Sequence, residues 1–359
     1  MHMEKRKVLL ISLVSCIILL GVISLWLVSL MDEGSSFGTM PSSSADGASA
    51  QASLSSKQLT KVTYRTSDMP YIDAAPVIIA QENGYYAEEG LSVELLPGQG
   101  SVFSVQAVGS GEDFSEAAAN VVLPAVAKGV PVKVVAVILR DSDSTLFFPA
   151  NSSIRLPKDL EGKTFATELK GTTHQEFLIF AKLTGIDVNK VELFPVASAA
   201  QKLQTVLSGK ADFTVGVAYI VGPLFEAQGA KMRSIVIKDY GEKFYGQSII
   251  TNDKMISEHL VVVRGFTKAT LKGFAYMIDH PDEAVDALVT RYPEISPQRA
   301  RAGLERILPY LQSEETQQHG LGYQSKERWE EMQDLLYDNG FMDRKIDVTT
   351  AYTLNFLPQ

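Results

Sequence analysis

An apolar segment without charged residues extends from Val8 to Met31. Its 24 residues would form a helix roughly 36 Å long, enough to cross a hydrocarbon core of about 30 Å. Basic residues 5–7 precede the segment, and Asp32 and Glu33 follow it. Because basic flanks stay in the cytoplasm, everything after Met31 is predicted to lie on the far side of the membrane.

The fate of this segment has two interpretations. Residues Leu13 to Cys16 resemble the lipobox of bacterial lipoproteins, in which the cysteine is lipidated and becomes the new N-terminus. The apolar run continues for another 15 residues beyond Cys16, where a lipoprotein normally has a polar linker. We therefore favour a signal anchor over residues 1–31 that is not cleaved. Both hypotheses tether the protein to the outer face of a bacterial cell membrane.

Residues 32–58 are rich in Ser, Gly and Ala, and residues 59–359 have the composition of a folded domain. A segment so poor in apolar side chains cannot fold by itself, which predicts a flexible linker. The whole chain carries a net charge of −9 at pH 7, which argues against nucleic acid or anionic lipid as a partner. Cys16 is the one cysteine, so the folded part must rest on its core and not on disulfides.

Short apolar runs alternate with helical stretches in two series, which predicts an α/β fold of two lobes. The first series covers residues from 59 to about 142, and the second covers about 143–244. The mostly helical remainder, about 245–359, is assigned to the first lobe. Extended crossings near 139–144 and 245–249 are expected to join the lobes as hinges. The periodicity is lost between about 140 and 156.

Four motifs occur in an order and spacing that resemble one family. They are APVIIAQENGYYAEEGLSVE at 75–94, LSGKAD at 207–212, FTKATLKG at 266–273 with HPDEAV at 280–285, and TLNFLP at 353–358. Together they resemble the solute-binding proteins of ABC importers for aliphatic sulfonates, taurine, nitrate and thiamine pyrimidines, the SsuA/THI5-like family. The resemblance implies a type II periplasmic binding protein fold of two hinged lobes, a small-molecule ligand and an ABC permease as partner.

Ligand-binding residues are expected in loops at the carboxyl ends of strands, where open α/β sheets leave a crevice. Gly100-Ser101 and residues 171–173 each place glycine and hydroxyl residues at a helix N-terminus, where free N–H groups favour an anion or a carbonyl oxygen. Plain helix caps explain the same pattern. Asp73 and Glu116 are candidates for binding an amino group. The full predicted set is Asp68, Tyr71, Asp73, Gly100, Ser101, Ser115, Glu116, Gly171, Thr172, Thr173 and Tyr219.

The ligand is predicted to be a small polar organic molecule, either sulfonate- or taurine-like or aminopyrimidine-like. Hydroxyl-lined helix N-termini suit an oxyanion, whereas Asp73 and Glu116 would repel one. Lys170 is the only basic residue in these loops. A zwitterion or a neutral ring with an amine would therefore pair with more of these helix N-termini and carboxylates than a bare anion would. The thiamine-pyrimidine branch places a histidine where this chain has Ala74, which weakens the aminopyrimidine assignment.

Two other classes of function stay open. A membrane-tethered sensor would signal through a partner, because residues 1–7 carry no output domain. A thiamine-pyrimidine synthase of the same family uses a cysteine-rich motif and a reactant histidine. This chain has no cysteine after Cys16 and has Ala74 at the histidine position. We therefore expect a monomeric binding protein without catalytic activity, cofactor or metal site.

Overall fold

The computed structural model describes residues 58–358. The predicted signal anchor, the lipidation site Cys16 and almost all of the predicted linker lie outside these residues. Within the described range, no helix is both long and apolar enough to cross a membrane.

Ten strands in the described range form two sheets of five strands each. In chain order they are β1 (Thr60–Arg65), β2 (Leu91–Leu96), β3 (Phe114–Ala118), β4 (Val132–Val137), β5 (Ser144–Pro149), β6 (Thr164–Thr167), β7 (Glu192–Pro195), β8 (Phe213–Val217), β9 (Met232–Val236) and β10 (Gln247–Asn252).

Helices follow most of these strands and make up nearly all of the C-terminal third. The α-helices between residues 58 and 358 are α1 (Ala75–Glu82), α2 (Tyr85–Glu88), α3 (Ser101–Gly109), α4 (Ala119–Ala127), α5 (Thr172–Thr184), α6 (Ala199–Leu207), α7 (Ala218–Ala227), α8 (Asp253–Glu258), α9 (Leu260–Asp279), α10 (Pro281–Arg291), α11 (Pro297–Leu311), α12 (Glu314–His319) and α13 (Lys326–Asp338). Short 3-10 turns occupy Ile72–Ala74, Pro157–Leu160, Val188–Lys190, Ile237–Tyr240 and Val348–Thr350.

The two sheets share one arrangement. The first has the order β2-β1-β3-β10-β4, and the second has the order β7-β6-β8-β5-β9. Strand β10 runs antiparallel to β3 and β4, and β5 runs antiparallel to β8 and β9. We call each sheet with its helices a lobe. The segments 138–143 and 237–246, which lead into β5 and β10, are the two crossings between the lobes.

The predicted α/β class with two sheets is confirmed. Strand β5 lies inside the stretch where the periodicity is lost. Its first five residues are all buried, because it is a central strand covered on both faces, so no alternation of polar and apolar residues marks it. Strand β3 continues to Ala118, and α4 begins only at Ala119.

Close helix packing builds the core of the first lobe and joins it to the second. Gly273 of α9 lies so near α1 that a Cβ would come within 2.1 Å of the Pro76 carbonyl oxygen. One apolar cluster continues from Leu304 of α11 to Ile220 and Phe225 of α7 in the second lobe. The lobes are therefore packed on each other through these helices, and packing of this kind transmits displacements.

Candidate ligand-binding site

A cleft lies between the lobes, where the parallel strands β1, β3, β6 and β8 end. Its cavity volume is about 170 Å³, and it is open to solvent on one side. Carboxyl ends of parallel strands are the usual place for a ligand in open α/β sheets. The residues that line the cleft are Ser67, Asp68, Gln99, Gly100, Ser101, Val102, Ala118, Ser142, Asp143, Ser144, Glu168, Gly171, Thr172, Thr173, Glu176, Ala199, Lys202, Gly216, Val217, Ile220, Val221, Gly246 and Gln247.

The first lobe contributes the loop after β1 and the start of α3. A Cβ at Gly98 would lie 2.0 Å from the Thr66 carbonyl oxygen, so only glycine permits this approach of the two loops. The Gly100 N–H donates to the Ser67 carbonyl oxygen at 2.6 Å. The Ser101 hydroxyl accepts from the Ala118 N–H at 3.0 Å. These contacts fix the start of α3 against the cleft.

The second lobe contributes the start of α5. Lys170, just before it, is the one non-glycine residue with a positive φ (64°) in the described part of the chain. This conformation costs a non-glycine residue free energy and is enriched at functional loops. Its side chain is exposed and does not line the cleft. The carbonyl of Gly171 accepts from the Gln175 N–H at 3.1 Å, so α5 begins with its free N–H groups at the cleft wall.

Lys202 of α6 is the one basic side chain among the residues that line the cleft. Its Nζ donates to Thr173 Oγ1 at 3.0 Å and lies 3.5 Å from Glu168 Oε1. The Lys202 side chain is only 5% exposed, and this burial lowers its pKa, while the Glu168 carboxylate opposes the shift. The ammonium is therefore already paired within its own lobe.

Two buried carboxyl groups form the floor of the cleft. Glu176 accepts from Asn120 Nδ2 at 3.0 Å and from Ser142 Oγ at 3.2 Å. Burial raises the pKa of Glu176 to about 7, although hydrogen bonds to the carboxylate oppose the shift. Asp143 accepts from the Ala218 N–H at 2.9 Å. Burial, followed by the nearby Glu176 charge, raises the pKa of Asp143 to about 7. Both groups therefore change charge near neutral pH.

Acidic side chains outnumber basic ones in the cleft. The ionisable side chains that line it are four acids and one base, namely Asp68, Asp143, Glu168, Glu176 and Lys202. In addition, Gln247 Oε1 at the cleft and Asn120 Oδ1 beside its floor are buried acceptors without a hydrogen-bond partner among residues 58–358. Buried polar atoms are unfavourable unless they are paired. The arrangement suits a ligand that brings N–H or O–H donors and carries no negative charge.

The eleven sequence-predicted residues divide between the cleft and the interior behind it. Those that line the cleft are Asp68, Gly100, Ser101, Gly171, Thr172 and Thr173. The cleft lining does not include Tyr71, Asp73, Ser115, Glu116 or Tyr219.

Ser115 and Glu116 were expected in a loop, but both lie inside β3 and are buried. The Ser115 hydroxyl donates to the Arg65 carbonyl oxygen at 2.9 Å. Glu116 pairs with Ile249 of β10 in the sheet, and burial raises its pKa well above the usual range, with the Asp73 charge adding to the shift. The loop expectation failed because β3 ends at Ala118.

Of the remaining three residues, Asp73 and Tyr219 connect the lobes behind the cleft, while Tyr71 contacts its own lobe. The Tyr219 hydroxyl donates to Asp73 Oδ2 at 3.1 Å, and both side chains are buried. Burial raises the pKa of Asp73 to about 6, while this hydrogen bond opposes the shift. The Tyr71 ring lies 5.0 Å from the Arg299 guanidinium carbon. These groups contact each other and not the cleft.

Sequence reasoning missed four charged residues of the cleft: Asp143, Glu168, Glu176 and Lys202. Glu168 directly follows β6 and lies just before the predicted loop at 171–173. Asp143 ends the first crossing, while Glu176 and Lys202 lie inside helices, so a search restricted to loops passes over them. One signal was present, because Glu176 follows Thr172 by four residues and therefore lies on the same face of α5.

Comparisons with known proteins agree with this architecture. The chain is 27% identical over 341 residues to the riboflavin-binding protein RibY of Chloroflexus aurantiacus, covering 92% of this chain and 96% of that protein. It is 28% identical over 280 residues to a formylaminopyrimidine-binding protein of Halalkalibacterium halodurans, covering 77% and 84%. A 4-amino-5-hydroxymethyl-2-methylpyrimidine phosphate synthase of Legionella pneumophila is 22% identical, with 86% and 95% covered.

Among solved structures, the periplasmic aliphatic sulphonate binding protein SsuA of Escherichia coli superposes with a TM-score of 0.65 at 14% identity. The match covers 82% of this chain and 91% of that chain, and it shows a periplasmic binding protein fold. The profile of the NMT1/THI5 like family matches residues 71–284, more than half of the chain. The resemblance carried by the four sequence motifs is thereby confirmed, and the chain belongs to the NMT1/THI5 like family.

Proposed function

We propose that this protein is the extracytoplasmic ligand-binding component of an ABC importer. It captures a small molecule between its lobes and delivers it to a membrane permease. The observation that carries the proposal is the floor of the cleft, where Asn120 of the first lobe, Glu176 of the second and Ser142 of a crossing meet. A ligand that contacts all three parts favours the closed arrangement of the lobes. The relatives named for binding riboflavin and formylaminopyrimidine support the same class of function.

The proposed ligand is a neutral, donor-rich heterocycle of the flavin or aminopyrimidine type. Its N–H and O–H groups would pair with Glu176, Asp143 and Gln247 at the floor. A sulfonate would instead meet several carboxylates, and Lys202 is already paired with Glu168. The charge of the cleft therefore favours the aminopyrimidine-like alternative over the sulfonate-like one.

Closure and tethering belong to the same proposal. The crossings 138–143 and 237–246 are the proposed hinges, because they are the connections through which the chain passes between the sheets.

The apolar segment 8–31, or a lipid on Cys16, would hold a monomeric domain on the outer face of the membrane. Protease digestion of intact cells followed by mass spectrometry of the N-terminal peptide distinguishes a retained anchor from a lipidated cysteine.

The function is tested by titrating the full-length protein in detergent with riboflavin, 4-amino-5-hydroxymethyl-2-methylpyrimidine, taurine and hexanesulfonate. Riboflavin fluorescence or calorimetry is expected to show saturable binding of a heterocycle and none of the sulfonates. Glu176→Ala is expected to abolish this binding, whereas Glu192→Ala, an exposed carboxylate on β7, should preserve it. Tight binding of taurine with no binding of either heterocycle would contradict the ligand class. Recovery of a chemically altered ligand would show an enzyme.

A further inference from the structure

One side chain of the C-terminal helix α13 contacts both crossings. Arg328 Nε donates to the Lys243 carbonyl oxygen at 3.1 Å, and its Nη2 donates to the Phe244 carbonyl oxygen at 3.3 Å. The same guanidinium forms an ion pair with Asp141 of the other crossing. Its carbon atom lies 5.2 Å from the ring centroid of Tyr245. A single planar group thus joins the segments 138–143 and 237–246.

Helix α13 itself is anchored on the first lobe. The buried Trp329 stacks on Tyr352 with ring centroids 5.4 Å apart and lies 5.7 Å from Tyr245. The Ser325 N–H donates to the Tyr245 hydroxyl at 2.8 Å. Trp329 and Met332 share an apolar cluster with residues of β4 and α4. Arg328 therefore fastens both crossings to the body of the first lobe.

The fastened crossing leads directly to the cleft. The residue after Asp141 is Ser142, whose N–H donates to the Phe244 carbonyl oxygen at 2.9 Å and whose hydroxyl donates to Glu176. The carbonyl of Phe244 thus receives hydrogen bonds from Arg328 and from Ser142. If the second lobe moves away from the first, either the chain bends after Ser142 or the hydrogen bonds of Arg328 and Ser142 break.

We propose that Arg328 is a positioning residue, which holds the crossings in the closed arrangement and sets ligand affinity without touching the ligand. This inference rests on the proposed function. Arginine suits the position because its planar guanidinium group has several N–H donors. It can hydrogen-bond carbonyl oxygens and a carboxylate while it stacks on an aromatic ring, and a lysine ammonium lacks this geometry. Apparent affinity scales with the fraction of molecules in the binding-competent state. Substitution of Arg328 is therefore expected to weaken binding by the same factor by which it lowers the fraction of closed molecules.

The test measures the distance between the lobes in the full chain. Cysteines for spin labels replace Glu82 on α1 and Leu193 on β7, both exposed, with Cys16→Ser removing the native thiol. Pulsed electron resonance then gives distance distributions with and without riboflavin for Arg328→Gln, Arg328→Lys and Asp141→Asn. The matched control is Arg344→Gln, because Arg344 donates Nε and Nη2 to the Ala127 carbonyl oxygen at 3.1 and 2.8 Å within the first lobe.

Without ligand, the short-distance fraction is expected to fall about threefold in Arg328→Gln and Asp141→Asn, less in Arg328→Lys, and not at all in the control. The Kd for riboflavin should rise by the same factor. A wild-type distribution without a short component overturns the proposal. So does a folded Arg328→Gln protein with the wild-type distribution, or an Arg328→Lys protein identical to wild type. Failure of riboflavin to bind refutes the ligand assignment, while the ligand-free distances still decide the role of Arg328.

Discussion

Glu176 of the second lobe accepts a hydrogen bond from Asn120 of the first lobe at 3.0 Å. The Glu176 side chain is 2% exposed and that of Asn120 is fully buried. A buried carboxylate is stable only when hydrogen-bonded or paired with a cation, and the groups that hydrogen-bond Glu176 are the neutral Asn120, Ser142 and Ser144. Contact between the lobes, protonation and the proposed ligand binding therefore involve the same carboxyl group.

Ligand affinity is expected to rise with pH between about 6 and 8. A ligand that donates hydrogen bonds stabilises the carboxylate forms of Glu176 and Asp143, whose pKa values burial raises to about 7. Binding then releases protons, so a higher pH favours the complex. Riboflavin titrations across this range check the slope. Glu176→Gln should bind more weakly at high pH and give a flatter profile, and profiles parallel to wild type would exclude Glu176 as the titrating group.

Asp143→Asn is expected to stabilise the ligand-free protein at pH 8 more than at pH 5. The folded pKa of Asp143 is about 7, above its ordinary value of 3.8. Its contribution to stability is therefore complete below pH about 4 and is lost as the pH rises through about 7. The free energy of unfolding should increase by about 1–3 kcal/mol at pH 8. Chemical denaturation at both pH values measures it.

The control for this experiment is Asp253→Asn, an exposed carboxylate in the first turn of α8. It should change stability equally little at both pH values. An Asp143→Asn protein that is destabilised at pH 8 would show that the carboxylate charge holds the Ala218 N–H more strongly than burial opposes it.

Glu168→Gln is expected to relax discrimination against anionic ligands. Glu168 lies 3.5 Å from the Lys202 ammonium, and its removal leaves this cation free for a phosphate or sulfonate group. Because the Glu168 side chain is 38% exposed, the gain should be modest, about threefold to tenfold in the affinity for flavin mononucleotide, with riboflavin nearly unchanged. Fluorescence titration with both flavins measures the ratio. An unchanged ratio, with Glu192→Gln as control, would mean that the phosphate lies away from Lys202.

Gly98→Ala is expected to reduce both stability and ligand binding, by about 1–3 kcal/mol in stability. The added Cβ would lie 2.0 Å from the Thr66 carbonyl oxygen and 2.6 Å from the Ser67 carbonyl carbon, so the loop that carries Ser67 must move. Gly273→Ala is the matched control, because its Cβ meets Pro76 in the core of the first lobe, away from the cleft. Thermal denaturation measures the stability of both variants, and riboflavin titration measures their affinity. Equal losses of affinity would show that the Gly98 loop does not shape the site.

The sequence was informative wherever local chemistry determines position. A strand followed by glycine and hydroxyl residues predicts a helix N-terminus at the carboxyl edge of a sheet, and this reasoning placed Gly100, Ser101 and residues 171–173 on the cleft wall. The alternation of strands and helices likewise predicted two α/β sheets. These signals act over a few residues and need no knowledge of the partner strand.

Other features depend on contacts distant in sequence. Strand β5 shows no alternation because both its faces are covered by elements that the local sequence does not specify. Glu116 is buried because β10 pairs with β3 more than a hundred residues later. Lys202 is buried at the cleft because Thr173, on another helix, accepts its hydrogen bond and Glu168, in the loop after β6, offsets its charge. The burial of these residues depends on segments distant in sequence, and the local sequence does not identify those segments.

The placement of β10 governs the order in which this chain can fold. It lies between β3 and β4 and is the one strand beside β4 in the first sheet, yet it follows the whole second sheet in the chain. A polypeptide that emerges from a translocation channel N-terminus first would hold β3 and β4 with open edges until residues 247–252 arrive. Such edges are templates for aggregation, and pairings of this long range form slowly. The first lobe is begun first and completed second, so a chain that emerges in this order is most open to self-association while the residues of its second sheet are emerging.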